Sequence, residues 1–319
     1  MTAYIIRRLL MAVVILFLVT LVVFFVIRLL PGDPLIIFLG QSQELGNMSL
    51  QELEHLRAEF GLDKPIAVQY VHWIWDLFHG DLGTSINYHE KVGVLMLERF
   101  PVTLHLGLTA FVLSNLLGIF LGMIAAIRRG TWIDTVVTVV ANIGICIPVF
   151  WLAILLTYAF GLKLGWLPIA GYTSPTENFW LSTKQAIMPV ICLSIVGLAM
   201  TARQMRSSVL EVSRQDYVRT AWSKGLRERV IVIRHVLKNS LIPVITLMGI
   251  GIGFIFAGSV LIETIFAIPG VGRLLVSSIF AQDYMVIQSG TLVIATIIVL
   301  SNLIVDISYG WLDPRIRYG

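Results

Sequence analysis

Hydrophobic positions along this chain fall in long runs, not in an alternating pattern or a narrow stripe. Six stretches reach the roughly 20 mostly apolar residues that cross a bilayer as a helix. They are about 9–30, 101–127, 132–160, 186–206, 241–262 and 289–310. Hydrocarbon offers the backbone no hydrogen-bond partner, so each run must form its own bonds, and a helix does this. Pro148 lies within the third run and predicts a bend there. The first run follows Arg7 and Arg8 and resembles a secretory signal. It exceeds the roughly 7–15 apolar residues of such a signal, and no small-x-small site closes it, which predicts an uncleaved membrane helix. The expected fold class is an all-α polytopic membrane protein with six transmembrane helices.

The polar positions set its orientation. Charged residues make up only 13% of the chain and hydrophobic ones 57%, which excludes an ordinary soluble domain. Yet the segment from Arg203 to Lys238 carries nine of the 23 Lys and Arg residues. With Arg7, Arg8, Arg128, Arg129, Arg315 and Arg317 it forms one side of a six-span layout. Short basic segments stay inside, so that side and both termini are predicted to be cytoplasmic. Most acids fall on the opposite side, among them Asp33, Glu44, Glu52, Glu59, Asp63, Asp76 and Asp81. Cys146 and Cys192 both sit in apolar runs, which predicts buried thiols and no disulfide framework.

The expected division is 1–30 for the first flank and helix, 31–100 for an outer segment, 101–310 for the membrane core and 311–319 for a cytoplasmic tail. The outer segment is too long for a simple connector. It opens on Pro31-Gly32-Asp33-Pro34. Ser49 and Glu52 form a capping box for a helix that Gly61 ends. A second amphipathic helix presents Ile66, Tyr70, Trp73, Ile74, Leu77 and Phe78, and Gly80-Asp81-Leu82-Gly83 breaks it. Two readings stand side by side: a cap on the membrane surface anchored by Trp73 and Trp75, and a docking surface for an external partner. Between spans three and four lies GLKLGWLPIAGY. After span five comes ETIFAIPGVGRLLVSSIFAQDY, where Pro269, Gly270 and Gly272 punctuate a surface or re-entrant element that closes over a pore. Gly118 with Gly122, and Gly249 with Gly253, read first as close helix packing within one subunit.

Catalytic patterns are missing. The chain has no H-E-x-x-H, no G-x-S-x-G and no G-x-x-x-x-G-K-[ST], so any ATP it uses must be held by a partner. His55, His72, His79 and His89 are spaced by 17, seven and ten residues, which suits solvated side chains better than a zinc site. Asp134, Glu263 and Asp306 lie near span ends, whereas proton-coupled carriers place ionisable groups deep in the membrane. Asn115, Asn142 and Asn302 either bond neighbouring helices or line a polar path, and the first reading is favoured.

The basic segment has an internal pattern. Span four reads on into the cytoplasm, Gly225 interrupts it, and a helix resumes from Arg227 to Lys238. Thr220 and Ala221 beside the glycine make a compact knuckle suited to a partner's groove. The plain alternative is an anchor on anionic headgroups, which explains the charge but leaves the knuckle unexplained.

DYVRTAWSKGL followed by VIRHVLKNSLIPV resembles the cytoplasmic coupling loop of ABC-importer permeases of the dipeptide/oligopeptide (peptide/nickel) type, B-type subunit. The resemblance extends through YIIRRLL, RLLPGDP, GLDKPIAVQYVHWIWDLFHGDLGTS, GWLPIAGY, ETIFAIPGVGRLLVSSI and LDPRIR. The family's Glu-Ala-Ala, three residues, Gly pattern falls on Arg219, Thr220, Ala221 and Gly225, with its Glu and first Ala replaced. Its following Ile-x-Leu-Pro has its nearest counterpart a few residues late, at Leu241-Ile242-Pro243. The resemblance implies a type I importer permease fold in a bacterial inner membrane. It implies half of a translocation pathway for di- or oligopeptides, completed by a homologous second permease. Two ATPase subunits that bind ATP and Mg would dock on a coupling loop at about 206–240, through Asp216, Tyr217, Arg219, Thr220, Ala221, Lys224 and Gly225. A periplasmic or lipid-anchored binding protein would deliver solute, with Asp33, Trp73, Asp81, Pro269, Gly270 and Gly272 as docking or gate candidates. The chain itself would hold no cofactor or metal, do no covalent chemistry and bind no nucleic acid. The same machine importing nickel, glutathione, oligosaccharide or another solute is the alternative. A membrane enzyme and a stand-alone channel or carrier are the competing classes.

Overall fold

The structure, a computed structural model, describes residues 2–29, 55, 58 and 63–312. Among them regular structure is helical, apart from one isolated antiparallel bridge between Thr84 and Lys91. Helix α1 is Thr2–Leu29, α2 Ile66–Phe78, α3 Val92–Ile127 and α4 Trp132–Cys146. Helix α5, Val149–Leu156, continues into the π-helical turn Thr157–Lys163. Helix α6 is Phe179–Val212 and α7 is Asp216–Ser223. A helical lead-in over 228–237 runs into α8, Lys238–Ile265. Helices α9, Val271–Phe280, and α10, Tyr284–Leu312, follow.

Five helical stretches are long and apolar enough to cross a membrane, and a bent pair makes a sixth. That pair is α4 and the helix beginning at Val149, which meet at 105°. The bend falls where Pro148 was expected to put it. Pro148 has no N–H to give and biases Ile147 to its extended conformation, φ −71° and ψ 123°.

Two compact units divide the chain, one centred on Leu104–Ile268 and the other on Leu10–Thr103 with Pro269–Val299. In the first, α6 is the central element. A Cβ on Gly118 would lie 2.7 Å from the Thr201 Cβ, and one on Gly122 would run into the Ala202 carbonyl. These glycines therefore let α3 and α6 touch along their backbones, as the intrasubunit reading predicted. Gly144 of α4 meets α6 at Ile195 and Ala199. At the far end of α6, Met205 and Val209 join Ala126, Val218, Ala221, Ile231, Val236 and Val244 in a buried cluster.

In the second unit, Val92, Leu95 and Met96 pack with Val271, Leu274, Leu275 and Val286. Tyr70 and Trp73 of α2 close on Phe24 of α1, with ring centroids 5.2 and 5.7 Å apart. The Thr20 and Tyr70 hydroxyls are 3.0 Å apart.

Several element bounds differ from expectation. Helix α3 begins at Val92, not 101, and passes through Pro101 unbroken. Its first turns carry their own buried apolar face, so the residues before the proline stay helical and leave the outer segment. Helix α6 extends the expected 186–206 at both ends. Cys146 is exposed, contrary to the expected buried thiol, while Cys192 is buried as expected. Hydropathy does not separate the two, because a lipid-facing and a core position are equally apolar. Trp73 is buried against Phe24 and is no surface anchor, whereas Trp75 is exposed. The capping box at Ser49 and Glu52, its helix, and the Pro31–Pro34 turn with Asp33 lie outside the described residues.

Candidate coupling site and polar sites of the two units

Helix α7 has eight residues and two faces. Val218 and Ala221 point into the cluster beneath it, at 1% and 5% exposure. Asp216, Tyr217, Arg219, Thr220, Trp222 and Ser223 are exposed, as are Lys224 and Gly225 after it. Burial of the two apolar side chains fixes the helix to its unit at about 1.5–3 kcal/mol for the valine alone. A side-chain bond from Asn239 Nδ2 to the Tyr217 hydroxyl, 2.9 Å, ties it to α8. The Arg219–Asp216 pair spans 3.6 Å between exposed side chains and adds little.

Gly225 has φ +69°, the left-handed region that only glycine enters freely, and this turn lets the chain double back from α7 into the helix beyond. No atom lies within 4 Å of a Cβ built there. A side chain would thus be opposed by the backbone at about 1–2 kcal/mol and not by crowding. The structure places the sequence-predicted coupling residues together, with one change of role: Ala221 faces inward, so the outward patch is Thr220 with Tyr217, Trp222 and Lys224.

Elsewhere in this unit, Asn115 Oδ1 accepts a bond from Thr201 Oγ1 at 3.1 Å, and both are buried. This fulfils the helix-bonding reading for Asn115. Asn142 and Asn302 are exposed. A void of about 40 Å³ adjoins the pair, edged by Ser114, Gly197, Met248 and Gly251. The Tyr172 hydroxyl stands 3.1 Å from His105 Nδ1. Burial, aided by Glu177, holds that hydroxyl above its ordinary tyrosine range, so it stays protonated. A third polar feature was missed by sequence reasoning. Arg206 donates to both carboxylate oxygens of Asp134, Nε at 2.6 Å and Nη2 at 2.9 Å. Asp134 had been noted only as an acid near a span end, and its distant partner leaves no local signal.

In the second unit, Asp81 accepts from the Gly83 N–H at 3.0 Å and stands 3.9 Å from Lys91. It is exposed, as is Pro269, while Gly270 and Gly272 are buried at the start of α9. The N–H of Val271 donates to Thr103 Oγ1 at 2.9 Å. Asp283 is 1% exposed and receives the Ser85 hydroxyl and the Asn87 N–H, the latter at 3.1 Å. His72 and His79 each bond a carbonyl four residues back. Among the described residues no group of three or more His, Cys, Asp or Glu is placed to hold a metal.

Residues 118–318 match the family model for the binding-protein-dependent transport system inner membrane component, and residues 1–107 match the N-terminal model of the same membrane components. The chain belongs to this family. It is therefore an inner-membrane permease subunit of a binding-protein-dependent transport system, and the permease is not itself the catalytic component. A putative peptide transport system permease protein of Brucella abortus is 41% identical, with all of both chains covered. The di/tripeptide transport system permease protein DppB of Pseudomonas aeruginosa is 39% identical over all of this chain and 99% of that one. The dipeptide transport system permease protein DppB of Escherichia coli K12 is 36% identical with the same coverage. Among solved structures, the inward-facing MetNI methionine ABC transporter matches at TM-score 0.57 and 16% identity, covering 69% of this chain and 96% of that one. That likeness supports the importer-permease fold alone. A transport system of this kind implies ATPase and binding-protein partners.

Proposed function

We propose that this permease forms half of a pathway for di- or oligopeptides and is driven through α7 by an ATPase subunit. A homologous second permease supplies the other half. The observation that carries the coupling reading is the two-faced α7. It is fastened inward by Val218 and Ala221, turned back by Gly225, and presents Asp216, Tyr217, Arg219, Thr220 and Lys224 outward. A groove on an ATPase can grip such a knob without disturbing the core beneath it. ATP-driven closure of the ATPases then moves α7 and favours one of two states of the pathway. The peptide reading rests on the relatives' names. Asp81 and Pro269 remain exposed for an external binding protein. Trp73, Gly270 and Gly272 are buried and act in packing.

Reconstitution of the permease pair with ATPases and binding protein tests both parts. ATP-dependent uptake of a radiolabelled dipeptide that vanishes without the ATPases is the expected result. Uptake that persists without them rejects the importer mechanism. Gly225→Ile is expected to reduce ATPase co-purification and stimulated hydrolysis severalfold. Unchanged values would reduce the loop to a membrane anchor.

A further inference from the structure

The polar link between Asp134 and Arg206 has no place in the coupling knob itself. Arg206 lies in the last turns of α6, and after Val212 only residues 213–215 separate α6 from α7. Asp134 lies in the first turn of α4. The guanidinium meets the carboxylate fork to fork, the geometry that fixes two groups in both distance and plane. The same carboxylate accepts the Gly130 N–H at 3.0 Å. Gly130 has φ +76°, so the loop before α4 is shaped to deliver that N–H.

The Asp134 side chain is 9% exposed and that of Arg206 31%. Separating them would take the cation from a carboxylate that is little exposed in the pair, which costs stability. At the other end of α4 the packing on α6 includes Gly144 against Ile195 and Ala199, an apolar contact with no directional bond. Among the described residues this ion pair is the one polar tie between the two helices. An apolar seam slides under load, whereas a bidentate ion pair does not.

We propose that Asp134 and Arg206 are positioning residues that transmit movement of the coupling helix to the broken third span. The inference rests on α7 as the coupling element. Movement of α7 pulls the end of α6, Arg206 carries Asp134 with it, and α4 shifts relative to its 105° junction with the helix beyond. The role is mechanical and needs no proton or ligand.

The test uses the reconstituted complex of permease pair, ATPases and binding protein, with Cys146 and Cys192 replaced by Ser. A spin label at Trp132→Cys, an exposed site at the start of α4, reports nucleotide-driven movement on addition of ATP and vanadate. Radiolabelled dialanine uptake per ATP hydrolysed reports coupling. Asp134→Asn keeps the shape and one acceptor oxygen but removes the charge. It is expected to retain the ATPases and at least about half of hydrolysis, to lose the label response, and to lower uptake per ATP about tenfold. Arg206→Lys keeps the charge without the fork and is expected to fall between wild type and Asp134→Asn. An unchanged label response in Asp134→Asn with intact assembly overturns the proposal. So does loss in both variants that only follows loss of assembly, because that marks a purely structural pair. Gly225→Ile separates the two levels. If it leaves ATPase retention and the label response intact, coupling through α7 is what fails. If dialanine uptake is absent in wild type, the peptide reading fails while the label response still decides the clamp.

Discussion

Asp134 in one unit and Asp283 in the other are both buried carboxylates, and the two are satisfied in different ways. Asp134 faces a cation, with both oxygens taken by Arg206 and a third bond from Gly130. Among the described residues Asp283 accepts from neutral donors: the Ser85 hydroxyl, the Asn87 N–H and, at 3.4 Å, the Val286 N–H. Two glycines, one from each unit, differ in a similar way. Gly122 abuts the Ala202 backbone, whereas Gly290 abuts the ends of the Leu275 and Met96 side chains. At Asp134 and Gly122 the contacts are a charge pair and touching backbones, which yield little. At Asp283 and Gly290 the contacts include a rotatable Ser85 hydroxyl and flexible side-chain ends, which can adjust. Rigid ties suit the unit that carries α7, the proposed coupling helix, because they pass displacement on instead of absorbing it.

The comparison breaks most sharply at Gly122. Gly122→Ala places a methyl group against the Ala202 carbonyl, and a backbone inside α6 has nowhere to move. The expected cost is about 3 kcal/mol or more. It should appear as a large drop in the thermal unfolding midpoint of the detergent-solubilised complex, or as failure to assemble. A wild-type midpoint would mean that α3 and α6 can part freely, and the rigid-unit reading would be lost.

Asp283 comes next. Asp283→Ala leaves buried donors at Ser85 and Asn87 unmet and should cost about 2–3 kcal/mol. Asp283→Asn should cost only about 1 kcal/mol. Its amide can turn its oxygen toward Ser85 and Asn87, giving up only the long Val286 contact. If Asn is as damaging as Ala, the ionised charge matters here as it does at Asp134, and the contrast collapses. Unfolding midpoints of the two variants decide it.

At the ion pair the two single truncations should differ. Arg206→Ala removes the cation from a carboxylate whose side chain is 9% exposed and leaves it the Gly130 N–H and the Thr138 side chain, at about 2 kcal/mol. Asp134→Ala strands an arginine that is 31% exposed and can turn toward water, at about 1 kcal/mol. Equal losses in the same unfolding assay would mean that the carboxylate is better hydrated than its burial implies.

The chain's layout was legible in its sequence because membrane helices announce themselves by length and apolarity alone. The position of the bend was equally plain, since Pro148 acts locally. The turn at Gly225 between α7 and the helix beyond was legible as a glycine break. What was not legible depends on partners distant in sequence. Ala221 faces inward because Met205, Val236 and their neighbours lie beneath it, which no local pattern states. Trp73 is buried because α1 brings Phe24 to it. The helical character of 92–100 was obscured by Pro101, a residue that usually marks a helix start but here lies within one. The Asp134–Arg206 pair joins positions 72 residues apart and left only two isolated charges near span ends.

The smallest expected effect lies at Gly290 and is the finest test of the contrast. A Cβ there would fall 2.6 Å from Leu275 Cδ2 and 2.8 Å from Met96 Cε. On distance alone this is no roomier than several sites in the other unit. The difference is what stands in the way. Both atoms are the far ends of side chains with rotamer freedom, in a cluster against which the partly buried Leu82, Phe100 and Ile294 pack. Methionine in particular accommodates a neighbour by turning its terminal bonds. Alanine also gains up to about 1 kcal/mol over glycine inside a helix. Gly290→Ala is therefore expected to leave the unfolding midpoint and dipeptide uptake close to wild type. A loss approaching that of Gly122→Ala would show that the second unit is packed as rigidly as the first. The distinction between a unit that transmits movement and one that absorbs it would then have no basis in packing.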